Sequence, residues 1–350
     1  MEKSNVPVIM EGYRENQFLN RTAQELERHR WEYVLMMVSS VARHTAQRIE
    51  ASKQLFTALG GSSFFRGDCH SHTQHSDGRG TVAETAEMVK AAGLDFQFVT
   101  DHWGITQAAE CREHGLWYGQ EPGTEYHHML ILGLEQAFTP QRKFFEDVAA
   151  AKEMGATVCI PHPGGWWPDM VYTLEQKQQL EKLPDPFLME IVNGASNIIN
   201  AIDYTDELAI EWWDHLLMLG KKVYGMGNTD AHAPHSIGTI WNGVFASDCK
   251  QELILSALEA GNHFVSEAPL IEIENQAGRL TLRVAESIGL RQLKVVVDGK
   301  PTQNWHWHDD TLVRKFAVEF DIPDQAQKYV RVEVTANDGK RAFSNPIFLT

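Results

Sequence analysis

Apolar residues recur at steps of three and four through Trp31, Val34, Leu35, Val38, Val41, Ala42, Thr45 and Ile49, predicting a helix over about residues 20–58 with one face to bury. Gly60-Gly61 supplies its stop. The stripe calls for a partner, either the body of this chain or a second copy, and a homo-oligomer formed through this helix is one expectation. From residue 64 to about 266, short apolar runs alternate with amphipathic stretches. Phe64–His70 is followed by the helix Thr81–Ala92, then by Phe96–Thr100, Thr157–Ile160, Phe187–Val192 and Lys222–Gly227 with helices between them. Such alternation predicts a parallel sheet or α/β barrel, in which functional groups gather where strands give way to loops. Beyond that the runs Leu270–Glu274, Leu280–Val284, Leu293–Val297, Phe316–Phe320 and Val330–Val334 are separated by turns such as Asp298-Gly299 and Asn337-Asp338-Gly339. They predict a small antiparallel β-sandwich. The expected division is an N-terminal helical segment (1–59), an α/β body (60–266) and the sandwich (267–350).

With 350 residues, 43% of them hydrophobic, the chain can fill more than one core. Lys and Arg number 31 against 47 Asp and Glu, a net charge of −16, and no long basic run offsets it. A polymeric nucleic acid is therefore not an expected partner. Tyr33 to Ala42 is the longest apolar stretch and falls well short of the roughly 20 residues that cross a bilayer. The charged N-terminal residues Glu2, Lys3 and Glu11 do not form a secretion signal, and the four cysteines are widely spaced, so a reducing, cytoplasmic compartment is expected and a membrane is not.

Candidate chemistry concentrates at the strand ends. Asp68-Cys69-His70-Ser71-His72 sets two histidines two residues apart, on one face of an extended strand. By itself such a pair is more often structural than metal-binding. Yet it leads into Ser76-Asp77-Gly78, Phe96–Thr100 ends in Asp101-His102, and Gly123-Thr124-Glu125 precedes His127-His128. Thr157–Ile160 then ends in Pro161-His162-Pro163, and Lys222–Gly227 in Asn228-Thr229-Asp230-Ala231-His232. Five strand ends each deliver His, Asp or Glu, and a packed core gains nothing from crowding so many costly polar groups. Divalent metal ions explain the convergence.

These motifs, in this order over residues 64–266, resemble the PHP (polymerase and histidinol phosphatase) family of metal-dependent hydrolases. The segment Ala260-Gly261 running into Phe264-Val265-Ser266, the following strands and the closing Ser344-Asn345-Pro346 are similar to its carbaryl-hydrolase-like (CehA/McbA) branch. The resemblance implies an α/β fold, a distorted seven-stranded β/α barrel, flanked here by the helical segment and the sandwich. It implies two or three divalent transition-metal ions, zinc, manganese or iron. His70, His72, Glu125 and Asp230 would hold the first; Glu125, His128 and His162 the second, with Glu125 bridging; Asp77, His102 and His232 the third. His127 is the alternative to His128, and His75 the rival of Asp77.

The expected activity is hydrolysis by a metal-bridged hydroxide, most readily of a small organic phosphate ester, with carbamate or carboxylic ester hydrolysis as the alternative. A non-catalytic metal-binding scaffold is the reading from another class. Asp101 is expected to orient the neighbouring histidine ring or else to cap a helix, Arg79 to clamp an anion, and His235 to protonate a leaving group. Trp103, Trp166, Trp167 and Trp241 are expected to wall the substrate pocket, with Glu190 and Asn193 reaching substrate or a metal ligand.

Overall fold

The computed structural model describes residues 39–123, 127–166, 170–194, 204–308, 311–324 and 326–349. Residues 39–57 are helical, and the apolar stripe turns inward at Ala42, Ile49 and Phe56, seven residues apart. Val41, expected on that face, is 66% exposed. Trp31, Val34, Leu35 and Val38 lie outside the described residues. Gly60, at φ 77°, ends the helix with its N–H bonded to the Thr57 carbonyl. Arg48 ties this helix to the C-terminal strands, pairing with Glu286 at 3.0 Å and with Asp338 at 2.6 Å.

The α/β body contributes β1 (Phe65–Asp68), β2 (Phe96–Val99), β3 (Trp117–Gln120), β4 (Leu130–Leu132), β5 (Thr157–Ile160), the short hairpin β6 (Gly165–Trp166) and β7 (Met170–Val171), β8 (Phe187–Asn193), β9 (Val223–Asn228), β10 (Trp241–Val244) and β11 (His263–Ser266). Then come β12 (Leu270–Gln276), β13 (Arg279–Ala285), β14 (Leu290–Val297), β15 (Lys300–His306), β16 (Lys315–Asp321), β17 (Tyr329–Ala336), β18 (Arg341–Ser344) and β19 (Ile347–Phe348). Between β1 and β2 the helix Val82–Ala92 starts in a capping box, where the Thr81 hydroxyl accepts from Glu84 N and the Glu84 carboxylate accepts from Thr81 N. It stops at Gly93.

The large sheet runs β15-β14-β17-β18-β11-β10-β1-β2-β3-β4-β5-β8-β9, with β19 beside β17. The order differs from an all-parallel one because β4 pairs antiparallel with β3 and β5, and β10 antiparallel with β1. Among the described residues no backbone ladder joins β9 to β10. The Asn242 side chain spans that gap instead, accepting from Gly227 N at 2.9 Å and donating to Gly227 O at 2.7 Å. Beyond the strand ends Ser71 and Ala231 form a parallel bridge, with His72 N donating to Ala231 O at 2.9 Å. The segments carrying His70–His72 and Asp230–His232 are thereby brought together.

The C-terminal strands are not set apart. β18 pairs with β11, so β14, β15, β17, β18 and β19 extend the large sheet, while β12, β13 and β16 form a separate antiparallel sheet. Alternate residues Leu280, Leu282 and Val284 share one buried apolar cluster with Leu293, Val295, Val332, Trp241 and the helix residues Ile49 and Phe56. The residue 266/267 boundary expected from sequence is thus crossed by a strand ladder and by common packing. Among the described residues, no helix is long and apolar enough to cross a membrane.

Candidate metal centre

Each candidate donor sits within a few residues of a strand end. His70 and His72 follow β1, His102 follows β2, Glu121 follows β3, His128 precedes β4, His162 follows β5, and Asp230 and His232 follow β9. His162 (φ 31°) and Asp230 (φ 48°) occupy the left-handed backbone region that non-glycine residues avoid, so each turns sharply at its strand end.

Four groups of side chains converge, with ligand atoms all within 4.8 Å in each: His70, His72 and Asp230; His70, Glu121 and His162; His102, Glu121 and His128; and His72, Asp77, His102 and His232. Glu121 belongs to two of them. Its Oε1 lies 3.0 Å from both His128 Nδ1 and His162 Nε2, and its Oε2 lies 3.4, 3.2 and 3.2 Å from His70 Nε2, His72 Nε2 and His102 Nδ1. Asp230 Oδ1 is 3.2 Å from His70 Nε2 and 3.1 Å from His72 Nε2. Such separations match neighbouring ligands on one ion, since bonds of about 2.0–2.2 Å place adjacent donors about 3.0–3.4 Å apart.

Two observations fit a cation to this set. Asp230 Oδ1 is buried yet makes no hydrogen bond. His70 Nδ1 is bonded to Glu190 Oε1 at 2.9 Å, which turns His70 Nε2 toward His72 Nε2 at 3.1 Å. One N–H···N hydrogen bond would satisfy this pair alone, but Glu121 Oε2 and Asp230 Oδ1 also lie 3.1–3.4 Å from both nitrogens, and a cation among the four satisfies them together. Burial and charge also oppose one another across the group. Burial alone would depress the His72 imidazole, but the Asp230 and Glu121 carboxylates beside it outweigh that and raise it to about 9. Burial would raise Glu121 and Asp230, yet the surrounding imidazoles hold both well below the carboxylate range. A site that concentrates negative charge among imidazole nitrogens suits a divalent ion.

No protein-family model matches the chain, and no curated protein matches it. Among solved structures it is similar to a two-domain protein from Bacteroides vulgatus containing a predicted PHP-like metal-dependent phosphoesterase, at 17% identity over 81% of this chain and 95% of that one, with TM-score 0.46. PsfC from Pseudomonas syringae matches at 15% identity over 56% of this chain and 88% of its own, with TM-score 0.40. The lesion-specific endonuclease PfuEndoQ from Pyrococcus furiosus matches at 16% identity over 56% of each chain, with TM-score 0.41. All three are loose likenesses. The chain's own donor groups fit a metal-dependent hydrolase.

Glu125, expected to bridge two ions, lies outside the described residues, and the carboxylate at the centre of the histidines is Glu121. Asp77 joins the outer group, 3.2 Å from His232 Nε2 and 3.6 Å from His102 Nε2. Its rival His75 instead faces Thr106 and Glu110, at 3.1 Å from each. His127 turns away from the donors, packing on Phe144 and Tyr172 and meeting the Gln176 carbonyl at 2.6 Å, and burial lowers it to about 4.

Asp101 organises a loop. It accepts from Thr73 N and Thr73 Oγ1, both at 2.8 Å, and from Ser76 Oγ at 2.6 Å, bracing the segment that carries Asp77. Among the described residues none of its hydrogen bonds goes to a histidine ring or caps a helix. The exposed Arg79 is placed beside the outer group by its backbone, N donating to His232 O at 2.8 Å. His235 does not join the donors; it lines a cavity of about 250 Å³ with Val41, Ala42 and Thr45 of the N-terminal helix. Trp166 stacks on His128 at 5.4 Å and meets His162 edge-on at 5.1 Å. Trp103 is 66% exposed, and a Cβ at Gly123 would lie 3.0 Å from its ring and 2.9 Å from that of His128. Trp167 lies outside the described residues.

Trp241 is a correction. It is fully buried, stacked on Phe64 at 6.1 Å beneath the Arg66 guanidinium, because it lies within β10 rather than in a loop. Glu190 and Asn193 are also buried, and both meet candidate metal ligands: Glu190 Oε1 lies 2.9 Å from His70 Nδ1, and Asn193 Nδ2 lies 3.3 Å from Asp230 Oδ2. Asp68 was not anticipated. It accepts from His70 N and from Thr229 N and Oγ1, and burial pushes it up to about 7.

Proposed function

We propose that the chain is a PHP-type metal-dependent phosphoesterase that cleaves small organic phosphate esters with two or three divalent transition-metal ions. His70, His72, Glu121 and Asp230 would hold one ion, Glu121, His128 and His162 a second, and Asp77, His102 and His232 a third. Ions bound there would supply Lewis acidity toward a phosphoryl oxygen and acidify bound water. Glu121 carries the proposal, because it reaches five histidines that belong to separate groups and makes one multinuclear site of them. The charge balance supports an anionic substrate. Three divalent ions against the carboxylates Glu121, Asp230 and Asp77 leave a surplus of roughly three positive charges, without recourse to lysine.

Hydrolysis of a carbamate or carboxylic ester, as in the carbaryl-hydrolase-like branch, is the second reading. The indoles of Trp103 and Trp166 beside His102 and His128 favour it, because they offer apolar surface to a neutral substrate. A hydrolysis screen of zinc-, manganese- and iron-loaded protein on p-nitrophenyl phosphate, bis-p-nitrophenyl phosphate and p-nitrophenyl carboxylic and carbamic esters separates the two. The first reading predicts phosphate ester turnover at least tenfold above the neutral esters, and the opposite order rejects it.

A further inference from the structure

Behind the donors, buried from solvent, Glu190 receives four hydrogen bonds. It is fully buried in β8, at the point where the register with β9 shifts. Oε1 accepts from His70 Nδ1 at 2.9 Å and Asn228 Nδ2 at 2.8 Å, while Oε2 accepts from His162 N at 2.8 Å and Asn193 Nδ2 at 2.6 Å. The second hydrogen of Asn193 Nδ2 reaches toward Asp230 Oδ2 at 3.3 Å. A single carboxylate therefore touches the segments bearing His70 and His162 directly and, through one amide, the side chain of Asp230.

We infer that Glu190 is the positioning residue of the inner metal site: it fixes His70 with its proton on Nδ1, so that Nε2 is presented to the ion, and it sets the affinity of that ion. The chemistry of the four partners selects a carboxylate. Each oxygen faces two donors and no acceptor, and a carboxylate offers lone pairs at both oxygens with no proton in the way. A glutamine would have one acceptor for two donors, and its NH2 group would confront the donors on the other side. A carboxylate behind a ligating imidazole also raises the basicity of the ring, so its loss weakens the metal more than it weakens the fold. The inference rests on the metal-centre reading and adds the residue that tunes it.

The test is a stepwise titration of metal-free full-length protein with zinc and with cobalt(II) against a competing chelator, for wild type, Glu190→Gln and Glu190→Asp. Glu190→Gln is expected to weaken the tightest step by about 10–100-fold and to leave the weakest step unchanged, while Glu190→Asp recovers part of the loss. A folded Glu190→Gln protein that binds its first ion as tightly as wild type overturns the inference. Wild-type protein that binds no divalent ion overturns instead the metal-centre reading beneath it. Should Glu190→Gln not fold, nitrogen NMR of zinc-loaded wild type decides: a proton on His70 Nδ1, protected from exchange, supports the inference, and a proton on Nε2 overturns it.

Discussion

The inner and outer ends of the donor cluster use the same residue types in different settings. The side chains of His70, His72, Glu121 and Asp230 are 0–6% exposed, whereas His102 is 18%, His232 40% and Asp77 54% exposed. Support differs as well. His70 Nδ1 is backed by a buried carboxylate, while His102 Nδ1 and His232 Nδ1 are backed by the backbone carbonyls of Glu121 and Asp230. Burial and a carboxylate behind the ring make a dry, preorganised ligand set; exposure and neutral carbonyls make one that exchanges with water. If ions bind as proposed, the inner end would hold its ion more tightly than the outer end.

The sharpest way to break that comparison is Glu121→Ala. Removing the carboxylate shared by the inner groups should lower turnover by about a thousandfold or more and cost at least one bound ion by elemental analysis, whereas Asp77→Ala should cost only the outer ion and less activity. Glu125→Ala should keep the full metal content; loss of metal there instead of at Glu121 would reverse the assignment of the bridge. Next in size is metal removal. Dialysis against a weak chelator should strip the outer ion first with partial loss of activity, and only a strong chelator should take the rest, so release of all ions in one step would dissolve the distinction. Trp166→Ala should reduce kcat/KM by roughly tenfold, about 1.4 kcal/mol, by loosening His128 and His162, with metal content nearly unchanged.

Acid inactivation would otherwise confound these tests, because ion release and unfolding both follow falling pH. His263, away from the donors, separates them. Its Nε2–H donates to Gly225 O at 2.9 Å, and burial lowers it to about 4. The folded state thus favours the neutral ring, and its contribution to stability is complete above about pH 6.5 and lost as pH falls toward 4, on the order of 3 kcal/mol. His263→Gln should flatten the stability profile over that window while leaving the pH dependence of metal retention alone. A profile as steep as wild type would mean that other groups drive acid unfolding.

The donor histidines were legible in the sequence because each follows or precedes an apolar run, and the His-x-His pair lies on one strand face. Glu121 was not, because β3 is a four-residue strand, Trp-Tyr-Gly-Gln, whose aromatic and polar residues show no apolar run to mark its end. Glu125, two residues before His127-His128, was the carboxylate singled out there, and it lies outside the described residues. Trp241 was misplaced for a similar reason: β10 is equally short, and only its pairing with β1 and β11 reveals that the indole is walled in. The merging of the C-terminal strands with the central sheet depends on the β11–β18 ladder between residues about eighty positions apart, which local patterns do not record.

The Asn242 side chain that bridges β9 and β10 has a mechanical consequence. Its Nδ2 also donates to Asn228 Oδ1 at 3.0 Å, Asn228 Nδ2 donates to Glu190 Oε1, and Glu190 Oε1 accepts from His70. A line of two amides, a carboxylate and an imidazole therefore runs from the open seam of the sheet to the innermost donor atom. The strand that delivers Asp230 and His232 is paired with β8 on one side and tied across the seam by this clasp on the other. Shortening that link by one atom, as in Asn242→Ser, would remove the side-chain bonds across the seam and slacken the line behind His70 with every candidate ligand still in place.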